Sequence, residues 1–264
     1  MTPEGFELVC EVEPPTRPDL RHVRHQIGVL DRVSDAFLVP DNHLGRATVS
    51  SVAVAHEVAA MGGRSIACLN SRDRNVLGFR RDLLTAAAYG VSEFLLVYGD
   101  RPESGRRSDD VSVRRMLEEV RSFGGGDVFA GHAPFRVGAT TALRPLASFK
   151  SEADFLFTQV SYSLDDLLRW REELRFEGRV YAGVMVIASA GMAAKLTASN
   201  PQLRVPDAVA ERIENDAGAG IALACELATG IRDSGAFDGV HLVPVSRYRE
   251  VALRLETEGW RRSR

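Results

Sequence analysis

Glu93-Phe94-Leu95-Leu96-Val97-Tyr98-Gly99-Asp100 is the stretch on which the reading of the fold turns. Its apolar residues run without a polar alternate, so both faces of the strand must be covered. That is the habit of a central strand in a parallel sheet with helices packed on it. The flanks agree. Asn75–Ala88 before it has helical spacing and stops at Gly90, and a polar loop, Glu103–Asp110, leads to a second helical segment, Val111–Phe123.

The same strand–helix unit repeats toward both ends. Upstream lie the strand Leu8–Val12, the helix Leu20–Val33, the strand Ala36–Val39, the helix Ala47–Met61 and the strand Ser65–Leu69. Pro14 and Pro15 stop the first strand because proline has no N–H for the ladder. Gly62-Gly63 closes the second helix. Downstream, Asp127–Ala130 and Asp154–Thr158 read as the fifth and sixth strands, with a helix over Thr140–Ser151 between them. The helix Leu164–Leu174 follows, then the strand Tyr181–Ile187, a short helix near Gly191–Thr197 and a long one within Pro206–Ser234. The strand Val240–Val243 and the helix Tyr248–Glu258 end the series. No linker or low-complexity tract interrupts it. The pattern predicts an α/β protein, a single (β/α)8 TIM barrel domain over residues 1–264, close to the roughly 250 residues usual for that fold. The alternative is a doubly wound open sheet, which should carry GxGxxG after its first strand. The nearest match, Gly218-Ala219-Gly220, sits in a helical stretch and lacks the third glycine.

Bulk properties exclude several classes. With a net charge of -3 the chain lacks the basic excess of a nucleic-acid binder. Cys10, Cys68 and Cys225 stand far apart, so neither a disulfide framework nor a zinc cluster is written here, and no metal is expected. No apolar run approaches the roughly 18 residues of a membrane span, and the start lacks a signal peptide's basic segment. A cytoplasmic protein without a membrane partner is expected; the oligomeric state stays open.

In such a barrel the chemistry gathers where strands end. Those positions hold Glu11 and Glu13, then Asp41, Asn42 and His43, then Asn70, Ser71 and Arg72. Asp100, Arg101, His132, Gln159, Ser189, Ser246 and Arg247 complete the ring. Glu11 is either a salt-bridged acid at a strand end or a proton donor. If Glu11 and Asp100 share the mouth, desolvation and mutual repulsion would raise one of them into the range of a general acid. Gln159 can donate and accept, which suits the edge of a heterocycle or, equally, a neighbouring backbone.

At these residues the sequence resembles the methylenetetrahydrofolate reductase family, whose fold is a (β/α)8 barrel. Glu11-Val12-Glu13-Pro14-Pro15 is similar to the family's opening strand, Gly99-Asp100 to the end of its Arg-Gly-Asp, and Ala153–Gln159 to a segment ending in Thr-Gln. Leu203-Arg204-Val205-Pro206 resembles Val-Arg-Ile-Pro, and Ser246-Arg247 resembles a C-terminal Asn-Arg. The resemblance implies Glu11 as general acid, Asp100 beside the pterin and the reacting cation, Gln159 on the pterin edge and Arg247 on the carboxylate tail of folate. It implies reduction of 5,10-methylenetetrahydrofolate to 5-methyltetrahydrofolate, a step of one-carbon metabolism that feeds methionine.

The departures fall on the flavin side. Tyr98 replaces the arginine of Arg-Gly-Asp, and Ser65-Ile66-Ala67-Cys68 replaces His-Leu-Thr-Cys. Pro40 and Gly131 stand where a threonine and a tyrosine are expected, and Ala190 stands where an aromatic packs on folate. Pro145–Ala153 replaces the phosphate-holding Leu-x-x-Lys-x-x-x-Ala-Gly helix. This pattern implies that FAD is absent and that NADH or NADPH gives hydride directly to the folate. The alternatives are an FAD-dependent reductase and a non-catalytic folate-binding barrel. The nicotinamide contacts, and the choice between NADH and NADPH, are not written in any motif.

Overall fold

A computed structural model describes residues 5–199, 203–216 and 218–262. Eight parallel strands close into a barrel in chain order: β1 (Glu7–Glu11), β2 (Ala36–Val39), β3 (Ser65–Asn70), β4 (Glu93–Val97), β5 (Arg136–Thr141), β6 (Phe155–Val160), β7 (Arg179–Met185) and β8 (Gly239–Val243). The ring is sealed by β8 lying beside β1, with Val9 opposite His241 on one side and Ala36 on the other. This is the (β/α)8 barrel, not the open sheet.

The connecting helices are α1 (Arg21–Leu30), α2 (Ser51–Ala60), α3 (Val76–Ala88), α4 (Val113–Ser122), α5 (Leu164–Glu173), α6 (Ala190–Ser199), α7 (Asp207–Asn215), α8 (Ala219–Ser234) and α9 (Tyr248–Thr257). Their starts are written locally. Asn75, Ser112 and Ser163 each accept an amide of the first turn of α3, α4 and α5, which satisfies a donor the helix leaves orphaned. α1 buries Val23, Ile27 and Leu30 on one stripe against the sheet.

The core has two shells. The larger lies between strands and helices; the inner fills the barrel with Val9, Ala36, Leu38, Ile66, Cys68, Leu95, Phe155, Phe157 and Tyr181. The three aromatics need room, and glycines on the neighbouring strands leave it. A Cβ on Gly138 would lie 2.0 Å from the Phe155 ring, and one on Gly239 2.7 Å from the Tyr181 ring. Large and small side chains thus interlock across the interior.

The expected fifth unit is displaced. Asp127–Phe129 is a 3-10 turn, and β5 is Arg136–Thr141. Three glycines in a row precede the turn, and its apolar Phe129 serves as a plug, with ring centroids 5.4 Å from Phe123 and 5.1 Å from Phe135. Val137, Thr140 and Thr141 are β-branched and favour the strand. The helix expected over Thr140–Ser151 does not form; a short 3-10 turn at Ser148–Glu152 stands there. Pro145 can give no helical amide. The long helix expected within Pro206–Ser234 is α8, and a shorter helix, α7, precedes it.

Candidate active site

Side chains two apart on a strand share a face, so Glu7, Val9 and Glu11 all point into the barrel from β1, and Gly239, His241 and Val243 do so from β8. The closure of β8 on β1 therefore sets Glu11 beside His241, with Oε2 3.3 Å from Nε2 and both side chains about nine-tenths covered. The approach is within ion-pair range but misaligned for a hydrogen bond, so His241 Nε2 is enclosed without one among the described residues. Beneath, the imidazole meets the Phe157 ring edge-on, centroids 5.3 Å apart. Burying a carboxylate and an imidazole without full satisfaction costs stability. Such a pair is poised to exchange protons with something placed above it.

His241 had no motif to mark it. The signal that finds it is positional: a polar residue on the inward face of a strand that must seal against the strand of Glu11.

Gln159 sits at an irregularity. The β6–β7 register slips between Phe157 and Val160, and the Thr158 hydroxyl accepts the Gly183 amide at 2.8 Å. A Cβ at Gly183 would fall 2.6 Å from the Thr158 carbonyl oxygen, so only glycine lets this bulge form. Bulges next to sites re-aim a side chain. Here Gln159 faces a cavity of about 390 Å³ that Arg144, Tyr162, Arg204 and Pro206 also line.

Asp100 is exposed just beyond β4, and its Oδ2 accepts the Leu44 amide at 2.8 Å. The buried two-carboxylate pairing is not what the fold builds: the group set beside Glu11 is the His241 imidazole. Arg247 is half-buried in the 3-10 turn Val245–Arg247 after β8 and reaches Glu250 at 3.2 Å. Val245 in that turn has a φ of +50°, and Leu44 one of +57° with 61% of its surface exposed. A β-branched or bulky residue is strained there, and such strain gathers at functional sites.

The other strand-end residues do structural work. Asp41 Oδ2 accepts from Asn70 N, Asn70 Nδ2 and Arg74 Nη1 at 2.9, 2.8 and 2.7 Å, binding the ends of β2 and β3 together. Asn42 donates to Asp73, Ser71 to the Tyr98 carbonyl, and Ser189 caps the first turn of α6. Glu13, His43, His132 and Ser246 are exposed. Cys10, Cys68 and Cys225 are buried and free, and burial pushes the Cys10 and Cys225 thiols up to about 12, which makes them inert at neutral pH. Among the described residues no group of three His, Cys, Asp or Glu is placed to hold a metal, and no helix is long and apolar enough to cross a membrane.

The positions expected to hold flavin phosphates do not fit them. Residues 145–153 form no α-helix, and Lys150 spends its ammonium on the Thr140 carbonyl at 2.6 Å. Burial and the nearby Arg144 charge lower the Lys150 pKa.

Residues 11–257 match the sequence profile described as methylenetetrahydrofolate reductase. No curated protein matches the chain. Among solved structures, a Clostridium thermocellum protein that binds two copies of 5-methyl-5,6,7,8-tetrahydrofolic acid superposes with a TM-score of 0.65 at 9% identity, covering 96% of each chain. EDTA monooxygenase from Chelativorans sp. BNC1 gives 0.58 at 9% identity over 97% of this chain and 94% of that one. The tryptophan synthase α-subunit of Pyrococcus furiosus gives 0.53 at 13% identity over 98% and 97%. At these identities the likeness is one of fold.

Proposed function

The chain belongs to the methylenetetrahydrofolate reductase family, and from that premise we propose that it reduces 5,10-methylenetetrahydrofolate to 5-methyltetrahydrofolate with hydride taken directly from NADH or NADPH. The observation that carries the reading is Glu11, enclosed in the barrel mouth against His241, on the strand that resembles the family's opening strand. The Clostridium thermocellum protein, which binds a methylated tetrahydrofolate on the same fold, supports the substrate class.

The product keeps its new methyl group on N5, so the bond that must break is the one from the bridging carbon to N10. Glu11, protonated, gives its proton to N10; the ring opens and the electron pair of N5 forms an iminium cation with the bridging carbon. Asp100 has Oδ1 left to face that cation while Oδ2 holds the Leu44 amide. Hydride from the dihydronicotinamide then reduces the iminium carbon to methyl and leaves NAD(P)⁺, and solvent returns a proton to Glu11 through the mouth. His241 lies against the Glu11 carboxyl and passes a proton to it during reloading. Gln159 takes the pterin edge, and Arg247 takes the carboxylate tail. The protein's part is position and electrostatics; the dihydronicotinamide supplies the hydride. No step is routed through a flavin; the engagement of Lys150 with the Thr140 carbonyl supports that choice.

The test is an absorbance spectrum of the purified protein with a stopped-flow assay of NAD(P)H oxidation by methylenetetrahydrofolate. A colourless protein that oxidises NAD(P)H is expected. Activity only with bound flavin would overturn the direct transfer. Tight folate binding with no oxidation of either nucleotide would make the barrel a binding protein.

A further inference from the structure

Three arginines gather beyond β3 and β4 in a place the reaction above does not use. Arg72, Arg101 and Arg107, with Pro102, Glu103 and Gly105, line a concavity of about 440 Å³ on the barrel's C-terminal face. Tyr98 stands behind it as a rack. The Arg72 guanidinium lies 4.4 Å above its ring centroid, the Arg107 guanidinium lies 5.8 Å from it, and Arg107 also donates to the Tyr98 hydroxyl.

The local charges do not cancel. Glu103 is taken by Arg46 at 2.7 Å, and Asp109 pairs with Arg107. Arg101 has no hydrogen bond or ion pair among the described residues, and Arg72 Nε is buried with no acceptor. Arg72 and Arg101 therefore line one hollow with no carboxylate paired to either among the described residues. Like charges held together repel, and a buried donor without an acceptor is costly. A multivalent anion in the hollow relieves the repulsion, and guanidinium forks suit phosphate oxygens bidentately.

The hollow is also preformed. The Ser108 amide donates to the Arg72 carbonyl at 2.7 Å and the Glu103 amide to the Gly45 carbonyl at 3.0 Å, which pins the β4–α4 loop to the loops after β3 and β2. Gly45 is obligatory in that clasp, since a Cβ would lie 2.0 Å from the Arg101 carbonyl oxygen. Preorganisation of this kind lowers the ordering cost of binding.

Resting on the reductase reading, we propose that this cradle holds the phosphates of the nicotinamide dinucleotide. The two substrates are both anionic and need separate anchors. Gln159 shares its cavity with Arg144 and Arg204, and Arg247 follows β8, so folate's carboxylates have cations on the β5–β8 side. The cradle after β3 and β4 lies on the opposite wall of the ring and is left for the diphosphate. Tyr98, standing where the family has an arginine, carries no charge itself and instead orients two arginines.

The test is equilibrium binding by titration calorimetry on the whole protein, with NADH, NADPH, inorganic pyrophosphate, and mono- and pentaglutamyl folate as probes. Arg101→Gln, at an exposed position that leaves the fold intact, should weaken pyrophosphate and dinucleotide binding about tenfold and leave monoglutamyl folate unchanged. Arg72→Lys keeps the charge but loses the fork, and should weaken both several-fold. Unchanged dinucleotide affinity in variants that melt like the wild type overturns the proposal. Weakening of pentaglutamyl folate alone overturns it too, by giving the cradle to the polyglutamate tail. If the wild type binds NAD(P)H in an Arg101-dependent way yet transfers no hydride to folate, the cradle stands and the reductase reading falls.

Discussion

Glu7 and Glu11 stand on one strand, on one face, one at each end of the barrel, and they meet opposite surroundings. At the N-terminal end Glu7 receives the Arg64 guanidinium at 2.5 Å, the Tyr181 hydroxyl at 2.6 Å and Arg179 at 2.7 Å. Arg64 also reaches Glu93 at 3.0 Å, so the floor is a closed network of ion pairs. Burial by itself would raise the Glu7 pKa, but the Tyr181 hydrogen bond and the Arg64 and Arg179 charges together hold it below the ordinary value of 4.5. At the C-terminal end Glu11 has a misaligned histidine at 3.3 Å. One acid is satisfied by the protein. The other has no aligned partner among the described residues. Along β1, then, the ion pairs close the N-terminal end, and the carboxylate without an aligned partner lies at the C-terminal end, the end at which barrels of this kind carry their chemistry.

The largest effect should come from the open end. Glu11→Gln removes the proton donor while keeping the shape, so turnover in the hydride-transfer assay should fall at least about a hundredfold. Urea melts should show little loss of stability; near-normal turnover would sink the assignment.

Glu7→Gln should do the reverse. It breaks the network on Arg64 and Arg179, and because the group is partly open to solvent the cost should be about 2 kcal/mol, less than for a fully buried pair. Turnover per folded molecule should stay the same. The pH dependence follows from the depressed pKa: the Glu7 contribution is complete above the ordinary carboxylate value of 4.5 and is lost as pH falls through its lower folded value. Wild-type stability should therefore drop below about pH 4.5, and Glu7→Gln should flatten that acid limb in denaturation curves. An unaltered acid limb would show that the floor network contributes nothing.

His241→Asn should lower turnover by about tenfold and change the shape of the pH–rate profile, since it replaces the imidazole 3.3 Å from Glu11 with an amide that exchanges no proton. A uniform loss at every pH would make His241 a packing residue. The smallest change is Leu44→Gly. It relieves a strained backbone and should raise stability by up to about 1 kcal/mol while weakening folate binding, if the exposed leucine serves the mouth. A stability gain without change in folate affinity would reduce the strain to a by-product of the Asp100 clasp.

The barrel itself was legible in the sequence because strand and helix periods are local properties. Unbroken apolar runs such as Phe94–Val97 and stripes such as Val23, Ile27 and Leu30 need no partner to be read. The fifth unit failed for a matching reason. Asp127–Ala130 has the composition of a strand, but Phe129 is apolar in order to plug a loop against Phe123 and Phe135. Only packing distinguishes the two.

The sequence by itself determined the alternation of elements and the residues that stand at strand ends, Glu11, Asp100, Gln159 and Arg247 among them. Tertiary structure decided what each one meets. It closed β8 on β1 and so gave Glu11 a histidine from the far end of the chain. It turned Asp100 onto the Leu44 amide and let Gly183 admit the bulge that aims Gln159. It also gathered Arg72, Arg101 and Arg107 around Tyr98. The physical reason is range: backbone periodicity is set by neighbours along the chain, whereas the charge and solvation of a side chain are set by groups that only ring closure brings within a few ångströms.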